Sequence, residues 1–198
     1  MKKMCFPVFI LVAAAALTLM GCQATRAGYE SAPYKVVRSD GKFELREYPT
    51  LTVVETPMAG PKGDDGGFMR LFRFITGANE AKQKIAMTTP VFMSGNATSL
   101  TMAFVLPADL PADSVPRPAD GTLTVRELPA GRFAVLRFSG GQNAKNEAES
   151  LLRLQSWLEQ ERLPAPGRPV YAYFDPPWTP GFLRRNEVML RTEGDKPE

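Results

Sequence analysis

One pattern of strands and turns occurs twice along this chain. The first copy reads LREYPTLTVVE (residues 45–55), and the second reads VRELPAGRFAVLRF (residues 125–138). In both copies a partly charged stretch precedes a proline-containing turn, and a stretch rich in β-branched or alternating apolar residues follows it. This is typical of two strands joined by a turn. The duplication constrains the chain to a fold built from two similar halves.

Each half continues with a helix and two further strands, so that each reads β-β-α-β-β. In the first half we expect strands at residues 42–48, 51–56, 84–93 and 100–106 and a helix at residues 68–75. In the second half we expect strands at residues 122–128, 132–138, 170–174 and 186–192 and a helix at residues 143–163, which Asn143 is suited to cap. The fold class is therefore α+β, with a curved or barrel-like, mainly antiparallel sheet and two helices.

The composition is that of a globular protein rich in turns. Of 198 residues, 44% are hydrophobic and 23% are charged, which is sufficient for a packed core in one large or two small domains. The 18 prolines are about twice the usual share and argue against a helical bundle.

The chain contains no histidine and only two cysteines, Cys5 and Cys22. A Ser-His-Asp triad, a Cys-His pair and a histidine-ligated zinc are therefore excluded within this chain. We predict no metal site and no catalytic residue of these classes, which leaves only carboxylate acid–base chemistry open.

The N-terminal segment has the pattern of an export signal. Lys2 and Lys3 precede an apolar run over residues 6–20, which is short for a membrane-spanning helix. The run ends in Leu-Met-Gly-Cys22, which resembles the lipobox of bacterial lipoproteins. We therefore predict a signal peptide at 1–21, lipidation of Cys22, a tether at 22–33, a domain at 34–192 and a polar tail at 193–198. The alternative is an ordinary signal peptide or an uncleaved anchor with an incidental cysteine.

The predicted mature chain is nearly neutral, which bears on its partners and location. Loss of Lys2 and Lys3 lowers the 24 basic residues to 22, against 21 acidic ones, so nothing favours nucleic-acid binding. A lipoprotein signal places the protein in the bacterial cell envelope, anchored by its lipid. Gln23 is not the Asp that resembles an inner-membrane retention signal, and we therefore expect the outer membrane, facing the periplasm.

Three motifs carry a resemblance to a known family. They are KIAMTTPV (residues 84–91), YFDPPWTP (residues 173–180) and RRNEV (residues 184–188). With the duplication, they resemble the SOUL haem-binding protein family over about residues 34–191. The resemblance implies a distorted β-barrel with two helices, and haem or a related tetrapyrrole as the ligand.

The resemblance also implies where the ligand binds. The family's proposed groove lies between the first helix and the loop that here reads DPPWTP (residues 175–180). Carried over by position, Phe68, Leu71, Phe72 and Arg73 face the groove, and Trp178 lies opposite. The helix is apolar almost all round, which suits an apolar slot, and Arg73 suits a propionate. The alternatives are a helix buried on both faces and a Trp178 folded back on the core.

Without histidine, we expect haem to be bound with a weak axial ligand or none. Tyr171 and Tyr173 lie in a predicted strand, and no methionine is obviously placed for ligation. Two other functions stay open. One is a small-molecule hydrolase or sensor that uses the carboxylate of Glu187 or Glu47. The other is a non-catalytic interaction protein of the envelope. The Arg184–Glu187 segment either recognises an anion or forms a structural network in which Glu187 pairs with an arginine.

Overall fold

Two β-β-α-β-β units follow one another, as the repeat predicts. The computed structural model describes residues 28–58, 66–96 and 99–192. The strands are β1 Glu30–Ser31, β2 Lys35–Asp40, β3 Phe43–Tyr48, β4 Leu51–Met58, β5 Thr88–Thr89, β6 Val91–Asn96, β7 Ser99–Val105, β8 Thr124–Leu128, β9 Gly131–Phe138, β10 Val170–Tyr173 and β11 Asn186–Arg191. The helices are α1 Gly67–Ile75 and α2 Ala144–Gln160. Residues 112–114 and 181–183 form single 3₁₀ turns.

The two halves exchange their first strands. Nine strands form one antiparallel sheet in the order β2-β3-β9-β11-β10-β6-β7-β4-β8. The first strand of each unit pairs with the second strand of the other unit, giving β3 with β9 and β8 with β4. The equivalent strands β6 and β10 pair with one another at the centre. The halves are therefore related by a pseudo-two-fold axis through the β6–β10 pair.

The sheet is not closed into a barrel, which corrects the expectation of a barrel. In the described part of the chain, β2 and β8 are the two ends of the strand order and do not pair with one another. Strand β2 is exposed along its whole length and carries Lys35, Arg38 and Asp40, and charge of this kind blunts a sheet edge. The sheet is nevertheless curved. Strands β3 and β4 lie near opposite ends of the strand order, yet Tyr48 of β3 and Leu51 of β4 pack in the same buried cluster.

Alternation along the strands divides the core between the two faces of the sheet. On β4, Val53 packs in the inner cluster with Phe92 and Val135, whereas Val54 packs under α1. Both helices lie on the same outer face. Helix α1 covers β4 and β7 through Leu71, Phe74 and Ile75, and α2 covers β9 and β11 through Leu154, Trp157 and Leu158.

Several predicted boundaries are confirmed or corrected by local chemistry. Asn143 caps α2, because its side chain accepts a hydrogen bond from the Asn146 N–H at 2.9 Å. The helix ends at Gln160 rather than at residue 163, since Arg162 adopts a left-handed φ of 55°. Of the strand expected at residues 84–93, residues 84–87 belong to no strand, and the rest is divided at Pro90, which has no N–H for the ladder. Strands β1 and β2 were not predicted.

The predictions for the two ends of the chain fall largely outside the described residues. The predicted signal peptide, Cys22, the first half of the tether and the polar tail lie in residues 1–27 and 193–198. Among the residues that the structure does describe, no helix has the length and apolar character needed to cross a membrane.

Candidate functional site

The flank of α1 that carries Phe68 and Phe72 is the apolar surface of the candidate site. The two side chains are 41% and 38% exposed. Their rings stack with centroids 6.1 Å apart and an interplanar angle of 12°. Phe68 also contacts Phe104 of β7 edge-on, with centroids 5.2 Å apart. These contacts hold both rings in place at the surface.

Helical geometry decides which α1 residues reach this flank. Leu71 was expected to face a groove, but it is fully buried against the sheet with Phe74 and Ile75. At about 100° per residue, Leu71 lies on the core side of the helix, about 100° from Phe72. Arg73 lies about 100° from Phe72 in the other sense, and its side chain is exposed on the outer surface. Arg73 therefore belongs to the rim rather than to the apolar flank.

Contacts of the opposite flank fix the direction in which the aromatic flank faces. Arg70 donates hydrogen bonds to the Thr56 Oγ1 at 3.1 Å and to the Pro57 carbonyl at 2.8 Å, and both acceptors belong to β4. Phe68 and Phe72 lie on the side away from Arg70, and Phe68 reaches β7. The aromatic flank thus faces the middle of the sheet, where β6 and β10 lie.

Strands β6 and β10 lie between the two helices on the outer face of the sheet, and their outer surface is called the groove below. Helix α1 covers β4 and β7, and α2 covers β9 and β11, which leaves β6 and β10 between them. Alternation places Val91, Met93, Tyr171 and Tyr173 on the floor of the groove, where Tyr173 is buried and Tyr171 packs against the α2 cluster.

The tyrosines on the floor are engaged by α2. Tyr173 donates a hydrogen bond to Glu147 Oε1 at 2.7 Å, and Tyr171 donates to the Glu147 carbonyl at 3.4 Å. Burial raises the pKa of both phenols, and the hydrogen bond to Glu147 raises the pKa of Tyr173 further. Both phenols are therefore protonated at neutral pH, and neither is poised as an anionic ligand for a metal.

The DPPWTP loop leaves β10 at one end of this groove. Its backbone is held by Arg184, which donates to the Thr179 carbonyl at 2.7 Å and to the Pro177 carbonyl. Asp175 accepts the Arg185 N–H at 2.6 Å. Trp178 at the tip is 82% exposed, so it is not folded back on the core. With so much of its surface in contact with solvent, the ring does not form a closed wall opposite α1 in this structure.

A buried ion cluster lies on the inner face of the sheet, away from the groove. The carboxylate of Glu187 is fully buried and accepts two hydrogen bonds from Arg46, at 2.6 and 3.0 Å. Arg185 donates to the same carboxylate at 2.7 and 2.8 Å. Each guanidinium also stacks on a ring, Arg46 on Tyr34 at 4.2 Å and Arg185 on Phe174 at 4.0 Å. The expected structural network around Glu187 is therefore confirmed.

The electrostatics of the two candidate carboxylates do not suit acid–base catalysis. Burial favours a high pKa for Glu187, but the charges and hydrogen bonds of Arg46 and Arg185 outweigh it and lower the pKa. The hydrogen bond from Arg132, at 2.8 Å, lowers the pKa of the half-buried Glu47. A general acid near neutral pH needs a raised pKa instead. In the described residues, no group of three or more acidic or cysteine side chains is arranged to hold a metal ion.

Arg46 is the residue of this cluster that sequence reasoning missed. It lies in the stretch Glu-Leu-Arg-Glu, whose charged residues suggest a solvent-exposed strand, and its partner Glu187 is 141 residues away. The position of Arg46 two residues from Tyr48, on the face that carries the apolar side chains, is the signal that could have identified it.

Comparison with known sequences identifies the family. The profile of the SOUL heme-binding protein family matches residues 29–191, which include both helices, the groove and the DPPWTP loop. The chain belongs to the SOUL family. It is 28% identical to human heme-binding protein 2 over 149 residues, which cover 70% of this chain and 72% of the relative. It is 26% identical to heme-binding protein 1 of Xenopus laevis over 158 residues, 75% of this chain and 82% of the relative.

Solved structures of a hydrolase and of a domain of another protein share the fold. A hydrolase from Listeria innocua superposes with a TM-score of 0.60 at 10% identity, covering 79% of this chain and 94% of the hydrolase. The C-terminal domain of EcmrR superposes with a TM-score of 0.58 at 14% identity, covering 76% of this chain and 96% of that domain. At these identities the likeness concerns the fold alone.

Proposed function

We propose that this SOUL protein binds haem or a related tetrapyrrole in the groove between α1 and the DPPWTP loop, as a lipid-anchored protein of the bacterial cell envelope. The observation that carries the proposal is the pair of exposed, stacked phenylalanines on the flank of α1 that faces the groove, in a chain of this family. Binding, rather than catalysis, is the activity that this arrangement supports.

The residues present suit the chemistry of haem. A tetrapyrrole is a flat apolar ring with anionic side chains at one edge, and it needs an apolar face and a cation. Phe68 and Phe72 offer two nearly parallel ring faces, and Arg73 offers an exposed guanidinium one residue further along the helix. Trp178 is held at the end of the groove on a stiff loop, where it can close over a ligand edge.

We expect no strong axial ligand to the iron. The chain contains no histidine, and the phenols of Tyr171 and Tyr173 are protonated and hydrogen-bonded to Glu147. The ferric complex should therefore show a broad Soret band, shifted from that of free haem, without the bands of a six-coordinate low-spin complex.

Haem titration of a soluble chain that begins at Gln23 tests the proposal. Phe72→Ala should weaken binding by about 2 kcal/mol, or roughly thirtyfold, and Trp178→Ala should act in the same direction. Arg73→Ala should cost about 1 kcal/mol and reduce the salt dependence of binding, because a propionate at an open rim stays hydrated. The absence of any spectral change on adding haem would refute the proposal.

Phe74 provides the matched control for Phe72. It is two residues away in α1 but fully buried beneath the helix. Phe74→Ala should lower the stability of the domain by about 3–5 kcal/mol, whereas Phe72→Ala should lower haem affinity with little change in melting temperature. Unfolding of the Phe72→Ala chain would show that this ring is part of the core, which would remove it from the proposed site.

The envelope location rests on Cys22 at the end of the apolar N-terminal run. An acylated Cys22 is the expected mature N-terminus, and two or three acyl chains suffice for stable anchoring where one does not. The intact mass of the membrane-extracted protein measures this directly. A mature chain that starts elsewhere, with no added lipid mass, would contradict the anchor while leaving the haem proposal to its own titration.

A further inference from the structure

The most exposed large apolar side chains in the described residues belong to one loop. Trp178 is 82% exposed and Phe182 is 80% exposed. Both are held out by a hydrogen-bonded backbone: Arg184 bonds the loop carbonyls of Pro177 and Thr179, and a 3₁₀ turn at Gly181–Leu183 presents Phe182. The Gly140 N–H also donates to the Gly181 carbonyl at 2.9 Å. The fixed backbone holds both residues at the surface, and a change of side-chain rotamer is the motion left to the rings.

The N-terminal strand enters the domain at the same end of the sheet. Strand β1 pairs with β5, and Thr89 of β5 lies two residues before Val91, the partner of Tyr173 at the end of β10. The loop starts directly after Tyr173. Ala32 packs in the same buried cluster as Phe174. Residues 28–34 and 174–185 therefore share one end of the molecule, called here the N-terminal pole.

Tyr34 joins the two segments by a direct contact. Its hydroxyl accepts a hydrogen bond from Arg185 at 3.2 Å, so the entering chain is bonded to the residue that closes the loop. The spatial relation between the entry point and the exposed aromatics is thus fixed by β1, by the shared cluster and by this bond.

The length of the preceding segment limits how far the pole can be from an anchor at Cys22. Six residue steps separate Cys22 from Gly28, the first described residue. Even a fully extended chain of this length spans only about 20 Å. A lipid on Cys22 would therefore keep the N-terminal pole close to the bilayer, whereas the far end of the sheet has no such restraint.

We propose that Trp178 and Phe182 insert into the interfacial layer of the membrane to which Cys22 is anchored, so that the N-terminal pole is the membrane-facing surface of the domain. The inference rests on the lipid anchor of the proposed function. The amphipathic ring of Trp178 favours the headgroup region, and the apolar ring of Phe182 suits the boundary with the acyl chains just below it. The loop contains one acidic residue, Asp175, which already accepts the Arg185 N–H, and Arg185 is itself paired with Glu187, so no unpaired carboxylate charge of these residues opposes contact with an anionic leaflet.

Fluorescence quenching of the full, membrane-extracted chain tests the inference. The chain is reconstituted without haem into vesicles of phosphatidylethanolamine and phosphatidylglycerol, with or without brominated acyl chains. The only other tryptophan, Trp157, is buried and gives the background, which the Trp178→Phe chain measures. We expect brominated lipid to remove most of the emission that Trp178 contributes, and aqueous iodide to remove little of it.

Placing the reporter tryptophan at other positions of the protein supplies the controls. In the Trp178→Phe background, Phe182→Trp should again be quenched by brominated lipid. Gln160→Trp should be quenched by iodide instead, because Gln160 is exposed at the far end of α2, a 17-residue helix that begins beside the loop. With α2 about 25 Å long, this position lies well away from the pole.

Three results would overturn the inference. In an acylated, vesicle-bound chain, Trp178 that is open to iodide and insensitive to brominated lipid would place the loop in water. Protection from both quenchers would place it against protein, such as a second copy of the chain. A chain of unmodified mass that leaves the vesicles would overturn the inference together with the anchor. None of these measurements involves haem, so failure of the haem proposal is recognised separately.

Discussion

Replacing Glu187 by alanine should be among the most damaging single substitutions in this protein. The carboxylate is fully buried and neutralises two guanidinium groups, those of Arg46 and Arg185, which are only 1% and 10% exposed. Its removal leaves Arg46 with Glu44 as its remaining carboxylate partner and takes the carboxylate partner of Arg185 away. The protein does not move these charges into water without opening the inner face of the sheet.

The size of the effect follows from breaking a buried ion pair by removing one partner. Such substitutions cost about 3–5 kcal/mol, because the remaining charge stays buried without compensation. For a domain of this size, 1 kcal/mol corresponds to roughly 2–4 °C, so the melting temperature should fall on the order of 10 °C.

The pH dependence gives a second, independent signature. The pKa of Glu187 is lowered from its ordinary value of 4.5 in the folded protein, because the two arginines outweigh the effect of burial. Because the pKa of Glu187 is lower in the folded chain than in the unfolded chain, its ionised carboxylate adds to the free energy of unfolding above pH 4.5. This contribution is lost as the pH falls through the folded pKa. The difference in stability between the wild-type chain and Glu187→Ala should therefore be full at pH 7 and shrink in acid below pH 4.5.

Urea unfolding of both chains at pH 7 and in acid measures both effects. Glu47→Ala is the matched control, because Glu47 also bonds an arginine across strands but its side chain is 42% exposed and that of Arg132 is 33% exposed, so its loss should change stability little. The reasoning would be refuted by a Glu187→Ala chain that unfolds with the wild type at pH 7, or by a stability difference that does not decrease in acid.

Two other substitutions test local features of the fold. Asn143→Ala removes the side-chain cap of α2 and should cost about 1 kcal/mol, measured by chemical unfolding, with the helix content by circular dichroism retained. Gly95→Ala should cost about 1–3 kcal/mol or more, because Gly95 has a φ of 121°. An added Cβ would also lie 1.9 Å from the Ser99 carbonyl oxygen. Unchanged melting of Gly95→Ala would show that the β6–β7 hairpin relaxes to accept a side chain.

Local sequence patterns were sufficient to predict most of the elements. Alternation and turn residues predict the paired strands of each half, and Asn143 predicts the start of α2. The pairing of strands was not predictable in the same way, because the exchange of β3 and β8 depends on contacts between halves. Strand β2 escaped prediction because it is exposed along its length and has no apolar face to produce a pattern.

The candidate site was predictable to the level of the helix and the loop but not of each side chain. Helical spacing alone separates Phe68 and Phe72 from Leu71, so the burial of Leu71 was within reach of the sequence. The exposure of Trp178 was not, because it depends on hydrogen bonds from Arg184, six residues further along the chain.

The duplication explains the position of the proposed groove. The pseudo-two-fold axis passes between β6 and β10, so the floor of the proposed groove takes one strand from each half, with α1 and α2 on its two sides and the DPPWTP loop at its end. The two helices differ in length and in the side chains that they expose. Helix α1 has 9 residues and exposes stacked phenylalanines, whereas α2 has 17 residues and exposes mainly charged and amide side chains. Two similar halves therefore supply a symmetric frame, and in the proposed site the apolar surface comes from α1, so substitutions on the exposed face of α2 should affect haem affinity less than those at Phe68 and Phe72.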